Sequence, residues 1–149
     1  MTRIEDTFEV KESDASLKIL FSSSMIHIDA ACASVTLFLD EKGKAFIPHL
    51  FAINLVMREG LTNAVRHGNK NDPVRMVDFE LEIVRDSAIH VRIEDQGTGF
   101  DWKSIQVNKL PDEEDHGRGM PIMHTYFNQC SYNPKGNVLY LEKQILSQV

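Results

Sequence analysis

Three short stretches hold the residues of this chain that are equipped for chemistry. In the first, Met57-Arg58-Glu59-Gly60-Leu61-Thr62-Asn63-Ala64-Val65-Arg66-His67-Gly68-Asn69, a carboxylate, an amide and an imidazole recur every four residues at Glu59, Asn63 and His67. Four residues is about one helical turn, so on a helix these three share a stripe. A carboxylate so near an apolar stripe is costly unless it is paired or takes a cation. Taken alone, the stripe is more simply a solvated polar face that happens to repeat. In the second stretch, the alternating run Val91-Arg92-Ile93-Glu94-Asp95 leads directly into Gln96-Gly97-Thr98-Gly99-Phe100-Asp101. Asp95 therefore stands at a strand end, and the glycines after it let backbone come close to a ligand. The third, His116-Gly117-Arg118-Gly119-Met120-Pro121, precedes a helical run, with Pro121 suited to its first turn. Glycines just before a helix N-terminus present bare N–H groups and a positive dipole end, which favour an anion.

The elements that must position these residues follow from periodicity. Leu50, Ile53, Met57, Leu61 and Ala64 recur at helical intervals, so the first stretch lies on an amphipathic helix over 48–67, entered through Pro48 and closed by Gly68. Ahead of it, Leu17–Phe21 begins a strand. Next, Ile28, Ala31, Cys32, Val35, Phe38 and Leu39 form the core stripe of a helix over 25–41, capped by a serine of Ser22-Ser23-Ser24 and ended by Gly43. Residues 1–13 are polar and expected to be loosely held, although Phe8 and Val10 can pair as an edge strand. Strands are expected over 74–84 and 88–94, joined by Arg85-Asp86-Ser87, and over 130–133 and 138–145 around Pro134-Lys135-Gly136-Asn137, with a helix over 119–128 between the pairs. Residues 101–115, with the acidic run Pro111-Asp112-Glu113-Glu114-Asp115, suit a lid or a solvated loop. The expected fold is a two-layer α/β (α+β) sandwich, a mixed, mostly antiparallel sheet with three helices on one face.

The 149 residues suit one domain with a core of its own, and 42% hydrophobic with 26% charged residues is the balance of an ordinary soluble protein. A net charge of -6 with no Lys/Arg cluster argues against direct nucleic-acid binding. No apolar run approaches a bilayer span and the N-terminus is polar, so a cytoplasmic protein without a membrane partner is expected. Cys32 and Cys130 read as buried thiols of a reducing compartment. His67, His116, His124 and the cysteines show no zinc-like pairing such as Cys-x-x-Cys.

In this order and spacing, Glu-x-x-x-Asn-Ala-x-x-His at 59–67, Asp-x-Gly-x-Gly at 95–99 and Gly-x-Gly at 117–119 resemble the three ATP-binding boxes of the GHKL superfamily. The short chain, with a strand and one helix ahead of the first box, looks most like the anti-sigma-factor serine/threonine kinases of bacteria, and the resemblance covers nearly the whole chain. It implies a single histidine kinase-like ATPase domain of the Bergerat type over 1–149, with an ATP lid at 100–117. Its cofactors would be ATP and Mg²⁺. Asp95 would accept the adenine amine, with Gly97 and Gly99 letting backbone approach, and Asn63 would ligate the metal. Gly117, Arg118 and Gly119 would hold phosphates, although Arg118 reads equally as an exposed loop arginine. Glu59 would act as base toward an attacking hydroxyl. His67 would be a structural or ribose-side neighbour.

The implied partners are an anti-anti-sigma-type protein, whose serine would accept the phosphoryl group, and a sigma factor or other regulator. A homodimer is expected, through the first helix or the sheet edge. The family often carries a threonine after the glycine near the penultimate strand; here the run is Gly136-Asn137-Val138. Either Asn137 takes over its adenine-supporting contact or that contact is absent. Two other classes compete. One is a nucleotide-dependent sequestering protein with little phosphotransfer. The other is the catalytic domain of a sensor histidine kinase, against which stands the lack of a helical hairpin bearing a phosphoacceptor histidine.

Overall fold

Side-chain alternation with period two builds the sheet. In Met76–Val84, Val77, Phe79, Leu81 and Ile83 are buried while Asp78 and Glu82 are exposed, so one face is apolar and the other polar. The computed structural model describes residues 5–99 and 115–145, the stretch 115–120 through its backbone. Its strands are β1 (Phe8–Glu12), β2 (Ser16–Ser22), β3 (Met76–Val84), β4 (Ala88–Asp95), β5 (Gln129–Tyr132) and β6 (Val138–Gln144). They form one six-stranded sheet in the order β1-β2-β3-β4-β6-β5. All five pairings are antiparallel, where the sequence suggests a mixed, mostly antiparallel sheet. Helices α1 (Met25–Asp40), α2 (Leu50–Thr62) and α3 (Asp115–Tyr126) supply the second layer of the α/β sandwich.

Ser24 caps α1 by accepting from the Ile26 N–H at 3.2 Å, as its place before the apolar stripe predicts. The predicted stripe of α1 is buried throughout. The 48–67 helix is three pieces: a 3-10 turn, Lys44–His49, which contains Pro48, then α2, then a wide π-type turn, Asn63–Gly68. The segment near the N-terminus is held more firmly than its polarity suggests. Asp6 pairs with His27 at 2.7 Å, Thr7 N–H donates to Ser22 Oγ at 2.9 Å, and Phe8 lies 5.3 Å from the His27 ring. Cys32 and Cys130 are free and buried. No helix among the described residues is long and apolar enough to cross a membrane.

α2 lies close on the sheet because Gly60 has no side chain. A Cβ there would meet Ile93 Cδ1 at 2.9 Å and Leu139 Cδ2 at 3.0 Å, so a larger residue would have to displace these side-chain ends on β4 and β6. Glu59 rides on this helix, and Asn63 follows it at the first position of the π-type turn.

Candidate nucleotide site

Asp95 is the last residue of β4, and the alternation that buries Ile89, Val91 and Ile93 carries it onto the core face. It is 4% exposed. Its Oδ1 accepts from Gly97 N–H at 2.8 Å, the Asx turn expected of an aspartate before glycine. Burial pushes its pKa up to about 6, against relief from the Gly97 N–H; Glu94 adds to the rise, and Lys135 and Arg75 oppose it. The chain closes tightly around this carboxylate. A Cβ on Gly68 would strike the Asp95 carboxylate, and one on Gly97 would strike the Gly68 carbonyl. Gly99, at φ 93°, lies against the Lys135 carbonyl, so here backbone approaches backbone of the β5–β6 turn.

The π-type turn aligns this end. Asn69 N–H reaches back five residues to the Ala64 carbonyl at 2.8 Å, one residue further than an α-helix allows, and turns the Asn69 side chain inward. Asn69 is 0% exposed. Its Nδ2 donates to Ser23 Oγ and the Met76 carbonyl, both at 2.9 Å, and its Oδ1 accepts from Gln96 N–H at 2.8 Å. One amide thus ties the ends of β2, β3 and β4 together. Nothing in Gly68-Asn69-Lys70-Asn71-Asp72-Pro73 separates this buried asparagine from a polar loop residue, which is why the sequence missed it.

On the other side of α2, Glu59, Asn63 and His67 line one cleft of about 350 Å³ with Arg58, Thr62, Arg66 and Ile122. Asn63 is buried, Glu59 and His67 half-buried, and the predicted stripe therefore faces a space rather than bulk solvent. Ile122 comes from α3, the helix that carries the Gly-x-Gly segment about one turn earlier. Its local setting differs from expectation. α3 begins at Asp115, so Gly117, Arg118 and Gly119 lie within its first turns, and Pro121 is inside the helix. Asp115 is the first helical residue, so the N–H groups without an intrahelical acceptor run no further than Gly117, which retains the anion-binding potential, whereas in a regular helix those of Arg118 and Gly119 pair with carbonyls four residues back. The lid and its acidic run fall almost wholly at 100–114, outside the described residues.

Two more side chains bear on the site. Tyr132, at the end of β5, is buried, and burial pushes the pKa of its hydroxyl up, a rise that the Asn63 side chain opposes. Its signal in the sequence was its phase with Cys130, since a buried tyrosine hydroxyl needs a polar partner. Asn137 is spent on bracing. Its Oδ1 accepts from Asn133 Nδ2 at 2.8 Å, its Nδ2 reaches the Asp95 carbonyl at 3.4 Å, and its own carbonyl accepts from Asp95 N–H at 2.9 Å. It supports Asp95 through backbone.

Among the described residues, no group of three His, Cys, Asp or Glu side chains stands ready to cage a metal. The cleft offers scattered oxygen donors, Glu59, Thr62 and Asn63, which suits a hard cation that takes most of its ligands from phosphate and water.

The chain thus presents, on a two-layer sandwich, a buried acid at a strand end, a cleft lined by a carboxylate and an amide, and a helix whose first turns hold the Gly-x-Gly segment. A family profile for the histidine kinase-like ATPase domain matches residues 21–143, and the chain belongs to that family. It is similar to the anti-sigma F factor of Geobacillus kaustophilus (strain HTA426), with 31% identity over 103 residues covering 64% of this chain and 70% of that one. It is also similar to the anti-sigma F factor of Oceanobacillus iheyensis, with 25% identity over 143 residues covering 91% and 87% of the two chains. The fold is shared with the histidine kinase domain of a blue-light activated histidine kinase from Erythrobacter litoralis, at TM-score 0.50 and 14% identity. The match covers 80% of this chain but spans 60% of that one.

Proposed function

We propose that this chain is a Mg²⁺-ATP-dependent protein serine kinase that works as a regulatory switch in the cytoplasm. It would phosphorylate a serine of an anti-anti-sigma-type partner and sequester a sigma factor or similar regulator. The observation that supports this reading most is the cleft that Glu59 and Asn63 share with Ile122 of α3.

In this reading Asp95 accepts the exocyclic amine of adenine, and Gly97 and Gly99 keep the backbone thin beside the ring. A base lacking that amine leaves a buried carboxylate unpaired and is rejected. Asn63 Oδ1 and the phosphates hold Mg²⁺, which when bound neutralises charge on the transferring phosphoryl group. The Gly117 N–H and the Arg118 side chain hold the phosphates, Gly119 leaves room for them, and His67 braces the ribose or phosphate side. Glu59 takes the proton of the serine hydroxyl as its oxygen bonds to the γ-phosphorus and the bond to the ADP oxygen breaks.

The test incubates purified protein with labelled ATP and candidate anti-anti-sigma proteins. Glu59→Gln is expected to lower phosphotransfer by about 10²–10⁴-fold while ATP binding stays within about threefold. Transfer that survives the substitution removes Glu59 as the base. No transfer from the unmutated protein to any partner it binds in the presence of ATP supports a nucleotide-dependent sequestering protein instead. Light scattering tests the expected homodimer.

A further inference from the structure

We propose that the outer edge of β1 pairs with the same edge of a second copy of this chain, the two strands running antiparallel about Val10. The inference rests on the homodimer reading and goes beyond it by placing the interface on a strand outside residues 21–143, the part that matches the family. β1 ends the sheet order, with no strand among the described residues on its far side. A strand edge carries unpaired N–H and C=O groups, a template for another strand. Their phase is set by β2. Ser22 N–H donates to the Thr7 carbonyl and Ser13 N–H to the Ser16 carbonyl, both at 2.9 Å. In the unbroken β1–β2 register this turns the backbone groups of Thr7, Glu9, Lys11 and Ser13 toward β2. Those of Phe8, Val10 and Glu12 therefore point outward.

Charge decides the occupant and the register. An antiparallel self-pairing that uses these outward groups can centre on Glu9, Val10 or Lys11. The first sets Glu9 against Glu9, and the last sets Lys11 against Lys11. Centred on Val10, Glu9 of each copy stands opposite Lys11 of the other, in non-hydrogen-bonded pairs where side chains come closest. Lys11 gains from this, since within one chain it faces Lys18 across the β1–β2 pair, a like-charge neighbour. On the other face, Val10 is 44% exposed beside buried Ile19, and the two copies of Val10 cover each other. An edge lysine alone repels a stray strand. With a glutamate two residues before it, the edge selects a strand carrying the same pair in reversed order, which is what a second copy supplies.

The experiment measures the dimer dissociation constant by sedimentation over a range of protein concentrations. Glu9→Lys and Lys11→Glu each leave only like charges facing across the edge, and each is expected to weaken self-association about tenfold or more. Mixed in equal amounts, the two variants carry opposite charges at both pairs, and the mixture is expected to recover the unmutated constant within about threefold, as is the double variant. A folding defect would not be cured by mixing. Val10→Pro removes an N–H that points away from β2, so it is expected to abolish pairing while the thermal midpoint stays near that of the unmutated chain. A dimer of unchanged affinity in all these variants overturns the edge and leaves the homodimer reading standing. An unmutated chain that is monomeric at every concentration overturns both and leaves the edge to a strand of another protein. Weakening in the single variants without recovery in the mixture also overturns the proposal, because the two charges then do not face each other.

Discussion

The two ends of the candidate site are built on opposite plans. Around Asp95 the chain is closed: Asp95 and Asn69 are 4% and 0% exposed, their side chains are committed to hydrogen bonds, and two glycines are pressed against neighbouring backbone or carboxylate. Around Asn63 it is open: Glu59, Thr62 and His67 are half-buried and Arg58 and Arg66 are exposed about a 350 Å³ space. An end that must discriminate one flat ring from another gains from being rigid before the ring arrives, since a misfit then leaves buried polar groups unpaired. An end that handles several charges and a hydrated cation gains from room.

The largest effect is expected from Gly97→Ala, whose Cβ would be driven into the Gly68 carbonyl. Stability should fall by about 3 kcal/mol in urea denaturation, with ATP binding lost as well. An unchanged midpoint would mean that the closed end yields and the contrast is false. Asn69→Leu should cost about 2 kcal/mol, because the Gln96 N–H and the Met76 carbonyl lose their partner.

The pH response sharpens the contrast. With its carboxyl raised from 3.8 to about 6, Asp95 binds a proton in the folded chain before the unfolded one does. The ligand-free protein should therefore gain stability as pH falls through 6, by at most about 3 kcal/mol once below 4, and Asp95→Asn should remove that slope. ATP affinity should move the other way, falling by up to about tenfold per unit below pH 6, because the amine requires the ionised acceptor. Parallel slopes for stability and affinity would separate Asp95 from the purine. The smallest effect is expected at the open end. Arg58→Ala breaks a 2.7 Å ion pair to Asp29, but both side chains are about half or more exposed, so stability should change by less than about 0.5 kcal/mol.

Much of this was legible in the sequence. The Leu50-Ile53-Met57-Leu61 stripe announced α2, and the alternations at 76–84 and 88–95 announced β3 and β4, because burial on one face writes its period directly into residue choice. The departures share a cause. The 48–67 helix breaks into three pieces at Leu50 and at Asn63, where apolar spacing stays compatible with a single helix while the hydrogen bonds shift from three to four to five residues. At the C-terminal side, α3 starts before the glycines, since a Gly-x-Gly pair argues for a loop by propensity and yields to context. Asn69 was missed as a site residue because a polar side chain inside the core looks, one residue at a time, like one outside it.

Sequence alone determined the layers, the face each strand buries, and which three segments carry the acid, the amide and the glycines, for these depend on local period and residue type. Only the tertiary structure decided that Gly60 lets α2 settle onto Ile93 and Leu139, and that Asn69 ties three strand ends beside Asp95. Those contacts join residues tens of positions apart. No local pattern encodes them, because their energies exist only once the core has brought the partners within hydrogen-bond reach.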